Sequence, residues 1–367
     1  MSTNAENRSY SPEIDPGDLE PHEYFWRDHQ PWLEERGYML RPRYRPDWVP
    51  SWKGTSKRYW SCEDGQAIQR SQIIDATRIA DGDMVALKKV EISKHPYEVE
   101  IGNFLSSEPF ISHPRNHCVP IYEVLRVPDD SDVVLLVMPL LRRFNSPRFQ
   151  TIGEAIEFFH QVFEALQFMH QLRIAHRDCM NLNIMMDPKP LYPQMYHPVL
   201  GLRSHNFTGT AKHYTRTARP TKYYLIDFGI SRRYDPAITS PREPPIRGGD
   251  KTVPEFQHSD DPCDPFPTDI YYLGNMIRED FLQTKQGFEF MRPLVDDMVQ
   301  DDPSLRPTID QVVMRFQEIR QGLGYWRLRS RIVDLEELFV DRVYRNTKYI
   351  FRTIGYLLTF RSPVPTP

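Results

Sequence analysis

The sequence predicts an α+β fold in which a small β-rich unit precedes a larger helical one. Between residues 73 and 141, short apolar runs rich in Val and Ile are separated by turn residues, as in strands. After Pro139, apolar residues recur at helical spacing over longer stretches. A chain of 367 residues with 40% hydrophobic content is long enough for two lobes with terminal extensions.

Each element follows from its local pattern. In the first lobe, IIDATRI and MVALKKV predict two strands around a turn at Asp81-Gly82, and EVEIGNFL predicts a short helix. CVPIYEVLRV and DVVLLVMPLL predict two more strands. In the second lobe, IGEAIEFFHQVFEALQFMHQL predicts a long helix, and further helices are expected at 268–281, 288–300 and 308–321. The 33 prolines imply short elements and long irregular connections.

Composition excludes several classes of protein. The formal charge of −4 argues against a nucleic-acid-binding protein, which is usually strongly basic. The four cysteines have no metal-ligand spacing and are expected to be thiols in a reducing compartment. The first 18 residues are polar and acidic, unlike a signal or transit peptide, and no long uncharged apolar run is present. We therefore expect a cytoplasmic or nuclear protein without a transmembrane segment.

Both ends of the chain are predicted to be extensions. Residues 1–60 form the first, and its polar part, 1–21, is predicted to be disordered. Residues 22–60 mix aromatic and basic side chains, which can bind nucleic acid, but their acids favour a segment that packs its rings on the domain. Residues 323–367 alternate apolar and basic side chains and predict a helical extension. This helix either packs against the core, the commoner case, or makes a peripheral membrane contact.

Two polar motifs lie between the predicted elements. The triplet His176–Asp178 is followed by Asn183, and the triplet Asp227–Gly229 follows an apolar strand. Asp178 can accept a hydrogen bond from a substrate hydroxyl, while Asn183 and Asp227 offer the oxygen ligands that Mg²⁺ prefers. The phenylalanine of the second triplet is expected to pack inward. Either triplet alone is weak evidence, but both in this order predict phosphoryl transfer.

These motifs resemble those of the eukaryotic protein kinases over about residues 70–320. The resemblance implies a bilobal protein-kinase-like fold, with an N-lobe at 61–141 and a C-lobe at 142–322. It also implies ATP and Mg²⁺ as cofactors, Asp178 as the catalytic base, and Asn183 as one of the metal ligands.

A lysine and a glutamate of the first lobe fall on family positions. Val85–Lys88 resembles the strand motif in which the lysine, here Lys88, holds the α- and β-phosphates. The resemblance implies Glu100 of EVEIGNFL as its helical partner. The spacing is short for the family, and Glu98 is the alternative.

An adenine site is implied in the same way. LLVMPLL resembles the family's hinge, with Met138 as gatekeeper. Pro139 keeps the carbonyl that adenine needs there, and Leu141 would supply the N–H contact. Ile73 and Ala86 would lie on either side of the adenine ring.

Other positions resemble structural parts of the family. Val253–Glu255 resembles the segment whose glutamate forms a buried ion pair, with Arg306 as the partner. Asp269 resembles the aspartate that braces the catalytic loop. Arg177 resembles the arginine that pairs with a phosphate on the activation loop, which follows it in the sequence. Candidate sites for that phosphate are Thr239, Ser240 and Thr252.

The sequence departs from the family in the lid and in the catalytic loop. The Gly-rich loop must lie in GQAIQRSQ, residues 65–72, where no glycine occupies a family position. The three positions carry Gln66, Ile68 and Ser71. Met180 replaces a lysine that stabilises transition-state charge, and Gly248 replaces the threonine that contacts it. We therefore expect weaker nucleotide binding and slower catalysis than in family members that keep these residues.

The C-lobe is also remodelled. The distance in sequence from Asp269 to Arg306 leaves no room for one helix that often docks substrates. An insertion at 188–222 is basic, and its three histidines are too loosely spaced to predict zinc binding. This insertion is either functional or a mobile solvated loop, and the sequence leaves both possibilities open.

Two functions remain open. With its aromatic N-terminal extension, the chain resembles the divergent kinase-like proteins of mushroom-forming fungi. We expect an ATP- and Mg²⁺-dependent protein kinase that phosphorylates serine or threonine of a protein substrate. The alternative is a pseudokinase that binds nucleotide or serves as a scaffold for a partner protein. A small-molecule kinase is a weaker third possibility.

Overall fold

The computed structural model describes residues 17–246 and 248–367. The predicted disorder of residues 1–21 therefore concerns mainly residues outside the described part. The chain forms two compact units. Of the described residues, the first unit contains 17–88 together with Gln194–Ala211, and the second contains those of Lys89–Pro193 and Lys212–Pro367. The structure mixes a β-sheet lobe with helical regions and terminal extensions, as the predicted kinase-like α+β class requires. The predicted domain boundaries stay predictions.

The first unit contains an antiparallel arrangement of three strands preceded by two short helices. The helices are α1 (Tyr24–Asp28) and α2 (Gln30–Glu35). The strands are β1 (Tyr38–Met39), β2 (Ile73–Arg78) and β3 (Met84–Glu91), of which β3 belongs to this unit up to Lys88. Strand β2 pairs with both others, and its register places Ile73 opposite Lys88. Gly82 closes the β2–β3 turn with a φ of +72°, which glycine adopts without strain.

The N-terminal extension contributes a buried polar cluster to the first unit. Trp26 and Tyr44 have no exposed surface. Arg43 donates to the Glu23 carboxylate through Nε and Nη2, both at 2.8 Å. Burial makes the largest single contribution and would raise the pKa of Glu23, but the hydrogen bonds and charge of Arg43, together with hydrogen bonds from the Glu20 N–H and Tyr44, lower it overall. The pair fixes the extension to its own unit. Because both members are buried, removal of either one would leave an unpaired buried charge and destabilise the unit.

Part of the predicted insertion is also ordered in the first unit. His197 is fully buried, and its Nε2 lies 3.2 Å from Glu63 Oε1. Glu63 in turn lies 3.5 Å from Arg41, which donates to Asp75 at 3.1 Å. Gln194–Ala211 is thus anchored to the first unit through His197.

The second unit contains four small groups of strands. Strands β4 (Glu123–Arg126) and β5 (Val133–Pro139) form an antiparallel pair. Strands β6 (Arg142–Arg143), β8 (Ile184–Met186) and β9 (Tyr223–Leu225) form a sheet with β8 in the centre. Strand β7 (Ile174–Ala175) pairs with β10 (Arg232–Arg233), and β11 (Lys285–Gln286) pairs with β12 (Val333–Asp334). Strand β4 is shorter than predicted because Pro120 supplies no N–H to a ladder.

The helices of the second unit surround an aromatic core. They are α3 (Pro96–Leu105), α4 (Ile152–Gln171), α5 (Pro254–His258), α6 (Pro265–Ile277), α7 (Arg292–Met298), α8 (Ile309–Gly322), α9 (Tyr325–Arg329) and α10 (Phe339–Leu358). Thr151 caps α4, since its hydroxyl accepts from the Glu154 N–H at 3.3 Å. Phe158 and Phe159 of α4 stack with Phe281 and with other rings of the core.

Two of these helices differ from their predicted bounds for local reasons. Helix α6 begins earlier than predicted, because the Asp264 carboxylate caps the Phe266 N–H at 3.0 Å and Pro265 suits a first turn. It ends in a π-turn at Arg278–Leu282. Helix α7 is shorter than predicted, and a 3₁₀ turn at Glu289–Met291 precedes it.

The end of the chain returns to α4 after α10. A Cβ on Gly153 would lie 1.9 Å from the carbonyl oxygen of Pro363. Thr366 completes the contact with a hydrogen bond to Glu157 Oε2 at 3.1 Å. Only glycine at position 153 lets the two backbones approach so closely. In the part of the chain that the structure describes, no helix has the length and apolarity needed to cross a bilayer.

Candidate active site

The loop His176–Asn183, between β7 and β8, is held by one buried carboxylate. Asp269 of α6 has no exposed surface and accepts from the backbone N–H groups of His176 at 2.8 Å and Arg177 at 2.7 Å. Its Oδ2 also lies 3.0 Å from His170 Nε2. Arg177 adopts a φ of +69°, an uncommon conformation for a residue with a side chain. Asp269 thus braces the loop, as predicted.

His176 connects the loop to the strand that follows. Its Nε2 lies 3.1 Å from the carbonyl oxygen of Ile226, so this nitrogen carries the proton. Its Nδ1 accepts from the Asp178 N–H at 3.2 Å. Burial lowers the pKa of His176, which favours the neutral ring that both contacts require. Ser231 adds a hydrogen bond from its hydroxyl to the His176 carbonyl at 2.9 Å.

Asp178 is oriented through one of its two carboxylate oxygens. Asn183 Nδ2 donates to Asp178 Oδ2 at 2.7 Å and to the Asp178 carbonyl at 2.9 Å. Asp178 Oδ1 is buried and has no hydrogen-bond partner among the described residues. Burial, with a smaller contribution from nearby carboxylates such as Asp227, raises the pKa of Asp178 to about 7. One oxygen is therefore fixed, and the other can accept a hydrogen bond.

Asp227 reaches the same place from β9. Strands β8 and β9 pair with Ile184 opposite Leu225, so Asn183 and Asp227 lie next to the same end of the pair. The Ile226 N–H donates to the Asn183 carbonyl at 3.0 Å. Since the Asn183 amide nitrogen faces Asp178, its amide oxygen can serve a cation together with Asp227. The structure brings Asp178, Asn183 and Asp227 together.

Phe228 packs inward, which confirms the expectation from the sequence. It is 2% exposed, and its ring centroid lies 5.7 Å from that of His176 in an edge-to-face arrangement. A Cβ on Gly102 of α3 would lie 4.0 Å from the Phe228 ring. The ring therefore packs between the catalytic loop and α3.

Helix α3 presents Glu98 inward and Glu100 to solvent. Glu98 is 3% exposed, whereas Glu100 is exposed. A Cβ on Gly229 would lie 3.3 Å from Glu98 Oε2 and 3.4 Å from Asp227 Oδ1. The preference for Glu100 is corrected here, because the helix turns that side chain away and places the alternative, Glu98, beside the Asp227–Gly229 triplet.

The segment after β10 approaches Asp178 with its backbone and not with a side chain. A Cβ on Gly249 would lie 2.6 Å from Asp178 Oδ1 and 3.4 Å from Met180 Sδ. The sequence singled out Gly248 as the replacement for a threonine, and the structure places the neighbouring glycine against the carboxylate. Gly249 thus lets backbone, and no side chain, lie against Asp178 Oδ1 on this side.

Arg177 pairs with a carboxylate that the sequence analysis did not identify. Glu243 Oε2 lies 3.2 Å from Arg177 Nη1 and 3.8 Å from Arg232 Nε. Tyr234 donates to Glu243 Oε1 at 3.0 Å. Because Arg177 and Glu243 are 66 positions apart, no local pattern in the sequence could have predicted the pair. A carboxylate thus pairs with the arginine for which the resemblance implied an activating phosphate.

The predicted ion pair of Glu255 and Arg306 is confirmed. Arg306 donates to both carboxylate oxygens, with distances of 2.9 Å from Nη1 and 2.6 Å from Nη2. The two side chains are 9% and 0% exposed. Thr268 donates to Glu255 Oε1 at 2.8 Å. The pair fixes the start of α5 to the residues before α8.

Three predicted nucleotide contacts lie in the first unit. Ile73 and Lys88 are direct partners in the β2–β3 pair, and Ala86 precedes Lys88 by two residues. Directly opposed residues and residues two apart share one face of a sheet, so Ile73, Ala86 and Lys88 lie on the same face.

The segment at 66–71, where the Gly-rich loop was expected, is fixed to the N-terminal extension. A Cβ on Gly65 would lie 2.1 Å from the Tyr59 carbonyl oxygen, so this glycine serves packing. Three hydrogen bonds hold the segment: Arg41 Nη1 to the Gln66 carbonyl at 2.9 Å, the Ile68 N–H to Tyr44 Oη at 3.1 Å, and Trp26 Nε1 to the Ser71 carbonyl at 3.3 Å. These anchors were not found from the sequence, although a lid without glycines was a sign that its backbone is restrained.

The predicted hinge residues lie in the second unit. Met138 and Pro139 end β5, and Leu141 precedes β6. Met138 packs against a buried apolar cluster that includes Val134 and Leu136. All three predicted residues are partly exposed, as contacts to a ligand require.

Comparison with known proteins agrees with this geometry. Residues 69–243 match the family model of the protein kinase domain. The matched range includes Lys88, Asp178, Asn183 and Asp227, and it ends before Glu255. No curated protein is significantly similar in sequence to this chain. The more specific resemblance to fungal proteins stays a prediction.

Proposed function

This chain contains a domain of the protein kinase family, and we propose that it transfers the γ-phosphate of ATP to a serine or threonine hydroxyl of a protein. The arrangement of Asp178 carries the proposal. One of its oxygens is fixed by Asn183, and the other is buried without a hydrogen-bond partner among the described residues. A substrate hydroxyl would satisfy that oxygen and be oriented for attack on a phosphate.

Mg²⁺ fits the residues next to Asp178. Asn183 offers an amide oxygen and Asp227 a carboxylate, and Mg²⁺ typically takes one or two protein oxygens while phosphates and waters complete its shell. When bound, the metal would neutralise charge on the transferred phosphate. Within the described ranges, no cluster of three or more His, Cys, Asp and Glu forms a separate metal site.

The nucleotide-contacting residues keep their predicted roles. We propose that Lys88 pairs with phosphate oxygens, and that Ile73 and Ala86 contact the adenine. We also propose that Met138, Pro139 and Leu141 recognise adenine as the family's hinge does. Met180 supplies no charge where the family has a lysine. Since one lost transition-state donor costs on the order of 10²–10³ in rate, we expect slow turnover.

Phosphate transfer tests the proposal. The full chain, incubated with radiolabelled ATP and Mg²⁺, should label itself or a generic protein substrate. Asp178→Asn should reduce labelling to background, whereas the exposed carboxylate variant Asp261→Asn should label like the parent. Chelation of Mg²⁺ should stop the reaction. Absence of labelling by the parent, with no difference from Asp178→Asn, would show that the proposal is wrong.

A second candidate is a pseudokinase that binds nucleotide and acts as a scaffold. The anchored segment at 66–71 favours it, because hydrogen bonds to Arg41, Tyr44 and Trp26 restrict a lid that would otherwise close on phosphates. Thermal unfolding with ATP, with and without Mg²⁺, separates the two functions. At a ligand concentration about 100 times Kd, binding stabilises by about 2.7 kcal/mol. Stabilisation without phosphate transfer would favour the scaffold.

Phosphate-transfer activity is expected to depend on Glu243 and not on phosphorylation of Thr239 or Ser240. Glu243→Gln removes the negative charge that Arg177 contacts at 3.2 Å, so the loop should lose its order. Hydrogen bonds to charged groups contribute about 1.5–3 kcal/mol, so activity should fall on the order of 10- to 100-fold. Thr239→Ala and Ser240→Ala change exposed side chains and should leave the labelling rate unchanged. If Glu243→Gln kept the labelling rate and Thr239→Ala or Ser240→Ala lowered it, activity would instead depend on phosphorylation.

A further inference from the structure

Helix α10 contacts the second unit through its polar side. Tyr349 donates to the Arg329 carbonyl at 3.0 Å, and Arg352 Nη1 donates to Gln150 Oε1 at 3.1 Å. Arg345 Nη1 lies 2.8 Å from Glu337 Oε1. No residue of α10 is buried. The helix therefore does lie against the second unit, which was the commoner expectation, but its apolar face is not the one that packs there.

The opposite side of α10 is apolar and exposed. Its side chains follow one another at helical spacing and form a continuous stripe. Phe351 is 72% exposed and Leu358 is 74% exposed. The stripe consists of Phe339, Val340, Val343, Tyr344, Ile350, Phe351, Ile354 and Leu358. Contiguous exposed apolar surface of this kind marks a site of interaction.

Both ends of α10 are fixed, so the stripe is presented in one orientation. Before the helix, Glu337 is held by Arg331 at 2.7 Å in addition to Arg345. After the helix, Arg329 donates to the Arg361 carbonyl. The close approach of Gly153 and Pro363 then fixes the last residues. The helix cannot turn its apolar side inward without breaking these contacts.

The charges on α10 identify the partner. The helix carries four cations and one carboxylate: Arg342, Arg345, Lys348, Arg352 and Asp341. Arg345 is already paired with Glu337, so the exposed cations are Arg342, Lys348 and Arg352. A second copy packed through the same stripe would bring like charges together, which is unfavourable. Anionic lipid headgroups complement the cations, and the acyl region accepts the stripe. The helix has 20 residues and is about 30 Å long, with cations beside the stripe that suit it to lie along a surface.

We propose that α10 binds the surface of anionic membranes, with its apolar stripe inserted between headgroups and its cations at the lipid phosphates. This inference does not depend on phosphate transfer. It assigns the C-terminal extension a role in localising the domain on a bilayer whose lipids carry negative charge.

Vesicle binding by the full chain tests the proposal. The protein should sediment with vesicles of phosphatidylcholine and phosphatidylserine and much less with phosphatidylcholine alone. Phe351→Glu/Leu358→Glu should abolish binding, because it places two negative charges in the apolar stripe. Both side chains are largely exposed, so their replacement should not disturb folding. Lys348→Gln should weaken partitioning about fivefold, which corresponds to about 1 kcal/mol per cation near the surface. The matched control Leu202→Glu changes a leucine that is 78% exposed in the first unit and should bind like the parent.

Other results would overturn the proposal. Equal binding to both kinds of vesicle, or binding to neither, would contradict a charge-dependent membrane site. A parent chain that is dimeric by light scattering, and that Phe351→Glu/Leu358→Glu makes monomeric without any vesicle binding, would instead assign the stripe to a second copy. Circular dichroism of each variant distinguishes loss of binding from loss of folding.

Discussion

Replacement of Arg306 by methionine is expected to destabilise the second unit by about 3–5 kcal/mol, because it leaves the Glu255 carboxylate buried and unpaired. Arg306 donates to both oxygens of Glu255 and also, through Nε, to the Gln300 carbonyl at 2.8 Å. Burial makes the largest single contribution and would raise the pKa of Glu255, but the hydrogen bonds and charge of Arg306, together with weaker hydrogen bonds such as that from Thr268, lower it overall. Methionine keeps the volume of the arginine stem and removes only the charge and the donors.

Urea unfolding followed by circular dichroism measures the effect. The matched control is Arg315→Met, which breaks a half-exposed pair with Asp297 and should cost less than about 1 kcal/mol. The double variant Glu255→Gln/Arg306→Met removes the uncompensated charge and should be more stable than Arg306→Met alone. A loss for Arg306→Met no greater than for Arg315→Met would contradict the prediction.

The same pair gives stability a pH dependence. The folded-state pKa of Glu255 lies below its usual value of 4.5, so the pair stabilises fully above that pH. This contribution is lost as pH falls from about 4.5 through the lowered pKa. In Arg306→Met the burial of Glu255 is no longer offset, and its carboxyl should take up a proton at higher pH. The difference in stability between parent and variant should therefore narrow as the solution is acidified.

Asp269→Asn is expected to release the catalytic loop. Asparagine keeps one acceptor oxygen, but its NH₂ group would face either the Arg177 N–H or the His176 N–H together with the ring of His170. An unsatisfied buried donor costs about 1–3 kcal/mol. Displacement of Asp178 by about 1 Å would lower kcat/KM for phosphate transfer on the order of 10²-fold.

Hydrogen exchange tests this prediction without relying on activity. The backbone amides of His176 and Arg177 should exchange slowly in the parent and much faster in Asp269→Asn. Asp310→Asn is the control, because Asp310 accepts from Gln167 at 2.8 Å on the exposed side of α8. Unchanged protection of both loop amides would show that Asp269 does not brace the loop.

Much of the fold and of the catalytic loop could be predicted, because both depend on local patterns. Helical spacing in 152–171 predicts α4, and the motif residues Asp178, Asn183 and Asp227 are recognisable in linear sequence. Asp269 and Arg306 could be found because each stands in a short motif.

Features that depend on pairing between distant segments could not be predicted. The choice of Glu98 over Glu100 depends on how α3 is rotated against its unit, which a ten-residue helix does not reveal alone. Glu243 meets Arg177 only in the folded chain. The orientation of α10 is set by hydrogen bonds from tyrosine and arginine, which outweigh the expected burial of its apolar side.

The effect of a substitution at Gly153 in α4 depends on whether the last residues of the chain are present. Glycine in a helix is less favourable than alanine by up to about 1 kcal/mol, so the helix alone would gain from a side chain at this position. With the end of the chain in place, that side chain would collide with the Pro363 carbonyl. The same substitution should thus be more harmful in the full chain than in a chain shortened after Phe360, where only the Leu328 carbonyl, 3.1 Å from such a Cβ, would remain close. Variants at position 153 have to be interpreted together with any change at the C-terminus.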